Sequence, residues 1–189
     1  MFDAGFLIKV VYFYIIAIFL AILEIQIEGK HGWAEKLPTW RPRPGSFFDR
    51  IFKKMSGQKE LTGYHTALMI FLLLFMHWPF VFNGSWDIIS EFEILAIFVL
   101  FTTVWDFLWF ILNPHLSLHK FNRKRVWWHK KWLMGLPVDY YVNILASIAL
   151  FVPEMVLIDS LGGLCKVGML VGVNLILLLV TIIFYPKAY

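Results

Sequence analysis

Cysteine and charge are both scarce in this sequence. Its 189 residues include one cysteine, Cys165, so neither an intramolecular disulfide nor a thiolate zinc site can form within the chain. Only 16% of the residues are charged, whereas soluble domains average about a quarter. The Gly-x-Ser-x-Gly element of serine hydrolases and the glycine-rich phosphate-binding loop are also missing. The absences argue against a secreted disulfide scaffold, a serine hydrolase and a nucleotide-binding protein.

Hydrophobic residues are correspondingly abundant in the sequence. They make up 60% of the chain, and the mean hydropathy is +0.71. Apolar runs of about 20 residues recur, which is the length that a helix needs to cross a bilayer. We therefore predict an all-α integral membrane protein, a single transmembrane domain over residues 1–189. The five predicted spans cover residues 5–27, 61–82, 93–112, 140–158 and 164–185, with Pro153 interrupting the fourth.

The charges of the connecting loops alternate along the chain. Residues 29–60 carry eight Lys and Arg and residues 114–138 carry six, whereas residues 83–90 and 159–163 carry none. Because cytoplasmic loops collect Lys and Arg, we predict that the two basic loops face the cytoplasm. The N-terminus then lies on the outer side of the cell membrane and the C-terminus on the cytoplasmic side. Basic residues beside anionic lipid explain the net charge of +4 without a nucleic-acid partner.

The first basic loop contains an amphipathic segment, GSFFDRIFKKM. Its apolar side chains would share one helical face and its basic ones the other: Phe47, Phe48, Ile51, Phe52 and Met55 against Arg50, Lys53 and Lys54. This pattern predicts a short helix that lies in the cytoplasmic interface.

Acids and a histidine meet at the cytoplasmic end of the first two spans. Glu24 and Glu28 are one helical turn apart and share a face. Glu28 and His31 have the Glu-x-x-His spacing by which helical di-iron proteins present two ligands, provided that the helix continues past Gly29. His65 lies in the first turn of the second span, at the same level.

The third span and the loop after it add further candidate ligands. Asp106 precedes Asn113 by seven residues, which places it about 10 Å inside the membrane end of its helix. An acid at such a depth is a functional candidate by default. The predicted metal ligands are therefore Glu24, Glu28, His31, His65, Asp106, His115, His119 and His129.

Each of these residues also has a structural interpretation. Glu28 and His31 would be solvated at a helix end, while Asp106 and His65 would hydrogen-bond a neighbouring helix. The loop histidines would contact lipid headgroups. The acids of the outer half and outer loops are expected to be solvated and to take no part in the cluster; they are Asp87, Glu91, Glu93, Glu154 and Asp159.

Carboxylates and imidazoles without thiolates suit iron, manganese or zinc. Eight candidate ligands exceed the set of a single catalytic zinc, so we predict two metal ions, with iron preferred. Such a pair would activate dioxygen for attack on a lipid chain or water for hydrolysis of a headgroup, with Asp106 and Glu28 as catalytic residues. Asn113 and Tyr140 are expected to orient ligands by hydrogen bonds. Arg123, Lys124 and Arg125 are expected to contact an anionic headgroup.

The segment HLSLH, from His115 to His119, resembles the H-x3-H box of the histidine-motif membrane di-iron desaturases and hydroxylases. The resemblance implies a di-iron oxidoreductase that acts on a lipid or other hydrophobic substrate at the cytoplasmic leaflet, with an electron donor as partner. The sequence departs from that family at two points. It has no adjacent pair of histidines, and His129 stands alone where a later box would lie. Carboxylates would have to replace several imidazoles.

Two other classes of function stay open, besides a di-metal lipid hydrolase. A small proton or cation transporter would use Asp106, Glu24, Glu28 and His65 as stations. It would also need polar stations in the outer half of the spans, where the sequence offers few. An accessory subunit would use its aromatic faces to bind a partner protein.

Overall fold

The computed structural model describes residues 3–56, 59–116 and 118–185, without the side chains of Met55 and His119. The described residues form helices α1 (Ala4–Glu28), α2 (Phe47–Met55), α3 (Gly63–Met76), α4 (Trp78–Asn83), α5 (Ile88–Leu112), α6 (Val138–Ala149), α7 (Val152–Leu157) and α8 (Ser160–Phe184). A 3-10 turn covers Leu118–Lys120, and the two-residue strands β1 (Trp132–Leu133) and β2 (Leu136–Pro137) pair antiparallel.

Five helical segments are long and apolar enough to cross a membrane. They are Ala4–Glu28, Gly63–Asn83, Ile88–Leu112, Val138–Leu157 and Ser160–Phe184. The described chain is mostly helical, and the prediction of five segments of spanning length is confirmed.

Two of the five segments are broken into unequal pieces. Helix α3 ends at Met76 and α4 begins at Trp78, just before Pro79, while α6 ends at Ala149 and α7 begins at Val152, just before Pro153. Proline has no N–H to continue the helical ladder, so it is tolerated in the first turn of a new helix. The sequence indicated the break at Pro153 but not the one before Pro79.

Capping side chains fix where most of these segments begin. The carboxylates of Asp3, Asp87 and Asp159 and the hydroxyl of Thr62 each accept a hydrogen bond from a backbone N–H in the first turn of α1, α5, α8 and α3. An oxygen at this position satisfies a donor that has no partner within the helix. Thr62 thereby sets the position of α3 and of the histidine in its first turn.

Helix α5 is the centre of the bundle. Its most apolar stretch is 61% buried, whereas the corresponding stretches of the other four segments are 11–28% buried. Helices α1, α6 and α8 pack against it, and Ala17 and Ala21 of α1 are fully buried. The outward surfaces carry large apolar side chains such as Phe19 and Leu179. Such surfaces suit a lipid environment.

Helix α2 forms as predicted over the amphipathic segment. Phe47, Phe48 and Ile51 are exposed, and Asp49 binds Lys53 one turn later with 2.9 Å between Oδ1 and Nζ. Phe52, on the predicted apolar face, lines a cavity between this helix and the bundle.

Two acids expected to be solvated are instead buried in ion pairs. Glu93 accepts from Lys9 at 2.6 Å and from Lys166 at 2.7 Å, and Lys166 also binds Glu154 at 2.8 Å. These residues lie near the ends of α1, α5 and α8 that are opposite to Glu28, and they tie three helices to α7. The expectation of solvation was wrong for Glu93 and Glu154, because lysines on neighbouring helices reach them.

Candidate metal site and its cavity

Glu24, Glu28 and His65 converge where α1 ends and α3 begins. One ligand atom from each lies within 4.8 Å of the others, and all three residues are buried. His65 Nε2 is 3.3 Å from Glu24 Oε1 and 3.7 Å from Glu28 Oε1. Tetrahedral ligands about 2.1 Å from a metal ion are roughly 3.4 Å apart, so the spacing suits one ion.

The first turn of α3 orients the histidine of this group. Thr62 Oγ1 accepts from the backbone N–H of His65 and lies 2.7 Å from its Nδ1. A hydroxyl oxygen has two lone pairs, so it can accept from both the backbone N–H and the ring Nδ1–H of His65. When Nδ1 donates to Thr62, the Nε2 lone pair faces the two carboxylates, as in metal-binding histidines whose other nitrogen is held by a hydrogen bond.

A strained turn after α1 completes the group. Trp33 and Ala34 have φ angles of +55° and +51°, values that cost a residue with a side chain roughly 1–3 kcal/mol. The turn brings the Ala34 N–H to Glu28 Oε1 and stacks Trp33 on His65, with 4.1 Å between ring centroids. Arg41 holds the turn by donating to the Ala34 carbonyl at 2.6 Å. The turn with positive φ angles therefore contacts both Glu28 and His65.

The same turn removes His31 from the predicted site. Helix α1 ends at Glu28, and Gly29 adopts a φ of +62° that turns the chain away. His31 Nδ1 instead lies 3.4 Å from Glu35 Oε2. The helical Glu-x-x-His motif does not form, because the helix stops at its first residue.

A second polar cluster connects α5 with α6 and the loop between them. His129 Nε2 is 3.1 Å from Asp106 Oδ2, and His129 Nδ1 is 2.9 Å from Asp139 Oδ2. Tyr140 donates its hydroxyl hydrogen to Asp106, and Lys59 Nζ lies 3.1 Å from Asp139. Both nitrogens of His129 face carboxylates, so the structure does not place it as a metal ligand. Tyr140 binds Asp106, one of the predicted site carboxylates, and its expected role in orienting a metal ligand stays a prediction.

The carboxylates control the protonation of His129. Burial alone would lower the pKa of this imidazole, but the charge of Asp106 and the hydrogen bonds to Asp106 and Asp139 outweigh it. The pKa of His129 is therefore raised above its ordinary value of about 6.5. The ring is favoured as an imidazolium that joins two acids.

Both clusters border one cavity of about 540 Å³. Its polar lining gathers at the end where α1 finishes: Glu24, Glu28, Lys59, His65, Asp106 and Asp139. Aromatic and aliphatic side chains of α2, α3 and α5 line the rest, among them Phe52, Met69 and Phe98. This volume lies in the usual range for small-molecule sites. The cavity is thus amphipathic, with the candidate metal site at its polar end.

Charge in this region is balanced only in part by the protein. Asp106 and Asp139 face two cationic side chains, Lys59 and protonated His129. The buried Glu24 and Glu28 lie beside His65, and an ionised carboxylate in a buried place is costly without a cation. A divalent cation between these three residues would stabilise the ionised form of both glutamates.

Four of the remaining predicted residues lie apart from the cavity. His115 is exposed, as are Arg123, Lys124 and Arg125, and none of the four lines it. The side chain of His119 lies outside the described residues. The predicted headgroup contact by the three basic residues stays a prediction. Among the described residues, Lys59 is the lysine that lines the cavity.

Asn113 acts on backbone groups and not on a ligand. Its Nδ2 donates to the Gly29 carbonyl at 2.8 Å, and its Oδ1 accepts from the His115 N–H at 2.9 Å. It is fully buried. Asn113 therefore ties the end of α1 to the end of α5 and positions the turn that carries Trp33.

Sequence reasoning missed Lys59, Asp139, Thr62 and Trp33. Asp139 directly precedes the predicted fourth span, so it has none of the depth that selected Asp106, and an acid at the end of a span is ordinarily solvated. The sequence did offer a signal for Thr62, since a threonine just before a helix is a typical N-cap and it precedes His65 by three residues. Lys59 is one of eight cations in its loop, and Trp33 reaches His65 through positive φ angles, so neither carried a signal.

No family model, curated protein or solved structure matches the chain. The class is therefore defined by the fold and the site: a helical chain with five segments of spanning length and a buried carboxylate–histidine group at one end of an amphipathic cavity.

Proposed function

We propose that this protein is an integral membrane metalloenzyme that acts on a lipid-like substrate at the cytoplasmic leaflet of the cell membrane. The observation that carries the proposal is the convergence of Glu24, Glu28 and His65 at the polar end of an amphipathic cavity. The Lys and Arg of the loops at this end support its cytoplasmic orientation.

The ligand set indicates what the site would bind. Two carboxylates and one imidazole suit zinc, manganese or iron, and three protein ligands leave positions for water and substrate. The grouping of three ligands supports one metal ion. Asp106 lines the same cavity and is the carboxylate available to a second ion, which the two-metal hypothesis requires.

Hydrolysis is the reaction that we propose first. A metal ion lowers the pKa of bound water, whose oxygen would attack the carbonyl carbon or phosphorus of a headgroup ester. The ester bond then breaks, and the leaving oxygen takes a proton. Asp106 supports this choice, because it lines the cavity while His129 and Tyr140 fix its Oδ2. The proton lost by the water would pass through Asp106 to the leaving oxygen, while the bonds from His129 and Tyr140 hold the Asp106 carboxylate in place and ionised before the step.

A di-iron or mono-iron oxidoreductase is the second candidate. It is favoured by the richness of the site in carboxylates, since glutamates and histidines on facing helices hold iron in helical di-iron proteins. The apolar part of the cavity would hold the hydrocarbon that dioxygen attacks. This reaction requires an electron donor as partner, and the identity of the bound metal separates it from hydrolysis.

Elemental analysis of the detergent-purified protein tests the proposal. After exposure to Zn²⁺, Mn²⁺ or Fe²⁺ and removal of excess metal, the wild type is expected to retain about one ion per chain. Glu24→Gln, Glu28→Gln and His65→Gln should each lose it. His115→Gln is the matched control, because that histidine is exposed outside the cavity. His129→Gln should also retain the ion.

Two results would contradict the proposal. One is a wild type without stoichiometric metal, which would favour transport over metal catalysis. The other is equal metal content in the wild type and the three ligand variants, which would mean that the ion is bound elsewhere.

A further inference from the structure

The cavity continues from its polar end along one face of α5. Asp106, Thr102 and Phe98 follow one another at intervals of four residues and all line it. At about 1.5 Å per residue, Phe98 lies roughly 12 Å deeper than Asp106. Met69 and Ile70 of α3 form the facing wall. The deep part is therefore a groove between helices, about two turns long.

Two polar side chains in this groove, Asn143 and Thr102, donate hydrogen bonds to groups within the protein. Asn143 Nδ2 donates to Thr103 Oγ1 at 3.0 Å, and Thr102 Oγ1 donates to the Val99 carbonyl at 2.8 Å. Such bonds lower the cost of polar groups facing hydrocarbon. These satisfied polar groups therefore do not prevent the groove from binding a hydrocarbon chain.

The groove opens sideways beside α3. Ile70 lines the cavity and is nevertheless 54% exposed, and the segment that contains it is only 17% buried in its most apolar stretch. Ile70 lies seven residues from the start of α3, about 10 Å from the polar end. The opening is thus on the perimeter of the bundle, at a depth that acyl chains reach in a membrane.

We propose that this groove, between Met69 and Ile70 of α3 and Phe98 and Thr102 of α5, takes one hydrocarbon chain of a membrane amphiphile that enters from the surrounding leaflet. The headgroup would lie at the Glu24–Glu28–His65 end. The role of the headgroup rests on the proposed function, whereas binding of the chain does not.

The physical chemistry of the exchange indicates where selectivity would arise. Moving a chain from bilayer to groove replaces one hydrocarbon environment with another, so little hydrophobic free energy is gained. Contacts of the headgroup with Lys59 and the metal site would therefore set which amphiphile is retained, and the groove would set how its chain lies.

Photo-crosslinking in phospholipid vesicles tests the groove. The probes are a fatty acid and a phosphatidylcholine, each with a diazirine in the middle of a chain. Peptide mapping should find labels at residues 69–70 and 98–102. Thr102→Trp, which fills the groove, should lower this labelling roughly tenfold, because an overfilled site excludes the chain. Val99→Trp is the matched control, since Val99 is half-buried on the same helix and does not line the cavity.

A second pair of variants makes the result independent of the folding of Thr102→Trp. Ile70→Trp should also reduce labelling of residues 98–102, whereas Phe71→Trp, on the exposed face of α3, should not. The probe that labels the groove distinguishes a free fatty acid from one chain of a phospholipid. Equal labelling in groove and control variants, or labels confined to outward faces, would overturn the proposal.

The metal site is tested separately in the same preparation. Glu28→Gln is expected to lose metal and to keep its chain labels. If the wild type binds metal without groove labelling, the groove proposal fails and the proposed function stands. If the labels appear without any bound metal, the proposed function fails and the groove stands.

Discussion

His129 Nδ1 lies 2.9 Å from Asp139 Oδ2, and the histidine side chain has no exposed surface. The two residues join the loop before α6 to the first turn of that helix. Because the other ring nitrogen faces Asp106, the imidazole holds two carboxylates together at the edge of the cavity. This contact changes the predicted role of His129 from metal ligand to the cation that positions Asp106.

The stability of the protein should depend on the protonation of His129. Its pKa is raised in the folded state, so the stabilisation is complete below the unfolded pKa of about 6.5 and is lost as pH rises through the folded pKa. A tenfold gain in the proton affinity of the ring on folding corresponds to about 1.4 kcal/mol of stability. Thermal unfolding measured from about pH 6 to about pH 9 should show this decline. Titratable groups that face the ring are Asp106, Asp139, Lys59 and Tyr140.

Two variants separate His129 from other titrating groups. His129→Gln should be less stable than the wild type at the acidic end and should show a flatter decline. Asp139→Asn removes one of the two carboxylates, so it should lower the pKa of His129 as measured by NMR of labelled imidazole. An unchanged slope in His129→Gln would assign the pH dependence to another residue.

The sequence predicted the parts that depend on length, local period and charge. Five apolar runs predicted five segments of spanning length, because this length is imposed by the bilayer. Glu24 and Glu28 share a face because residues four apart in a helix lie one turn above each other. The short distance of His65 from the start of its span predicted that it lies at the same level. Contacts that depend on how the chain turns after a helix were beyond this reasoning.

Residues whose partners were predicted wrongly lie after such turns or pair with residues of another helix. Gly29 ends α1, so His31 pairs with Glu35 and not with the site. The side chain of His129 is set by its loop and by Asp139, a partner with no local signal. The pairing of Glu93 with Lys166 across α5 and α8 likewise depends on which helices are neighbours, which hydropathy does not reveal.

Thr62 should contribute to metal binding without touching the ion. Thr62→Val keeps the shape of the side chain and removes the oxygen that fixes His65 Nδ1, so the imidazole loses its preferred orientation. Loss of such an outer hydrogen bond typically lowers metal affinity about 10–100-fold. Competition with a chelator of known affinity measures this change. Thr102→Val, which removes only a bond to the Val99 carbonyl, is the control, and equal affinity in the two variants would contradict the assigned role.

Lys166 should be important for stability at the opposite end of the bundle. Lys166→Met leaves Glu93 with Lys9 but deprives Glu154 of its ion pair, and Glu154 Oε2 has no hydrogen-bond partner among the described residues. An unpaired buried charge costs about 3–5 kcal/mol of the free energy of unfolding. Thermal or detergent-induced unfolding measures the loss.

Matched variants test whether the loss comes from the unpaired acid. Replacing Glu154 together with Lys166, as Lys166→Met with Glu154→Met, should restore most of the stability, because no charge is then left unpaired. Lys120→Met, at an exposed lysine, should change stability by less than about 0.5 kcal/mol. A double variant no more stable than Lys166→Met would show that packing of the lysine, and not its charge, is what matters.

Gly32 should tolerate no side chain, because the turn after α1 presses against Trp128. A Cβ at this position would lie 2.3 Å from Trp128 Cη2 and 2.7 Å from its Cζ2, and that indole is buried and stacked on Phe110. Gly32→Ala should therefore lower the free energy of unfolding by about 1–3 kcal/mol. The displaced turn also carries Trp33, so metal affinity should fall with stability. Gly172→Ala in α8 has open space and should be neutral or slightly stabilising. If both substitutions have the same effect on thermal unfolding, the turn can move away from Trp128 and the predicted clash does not occur.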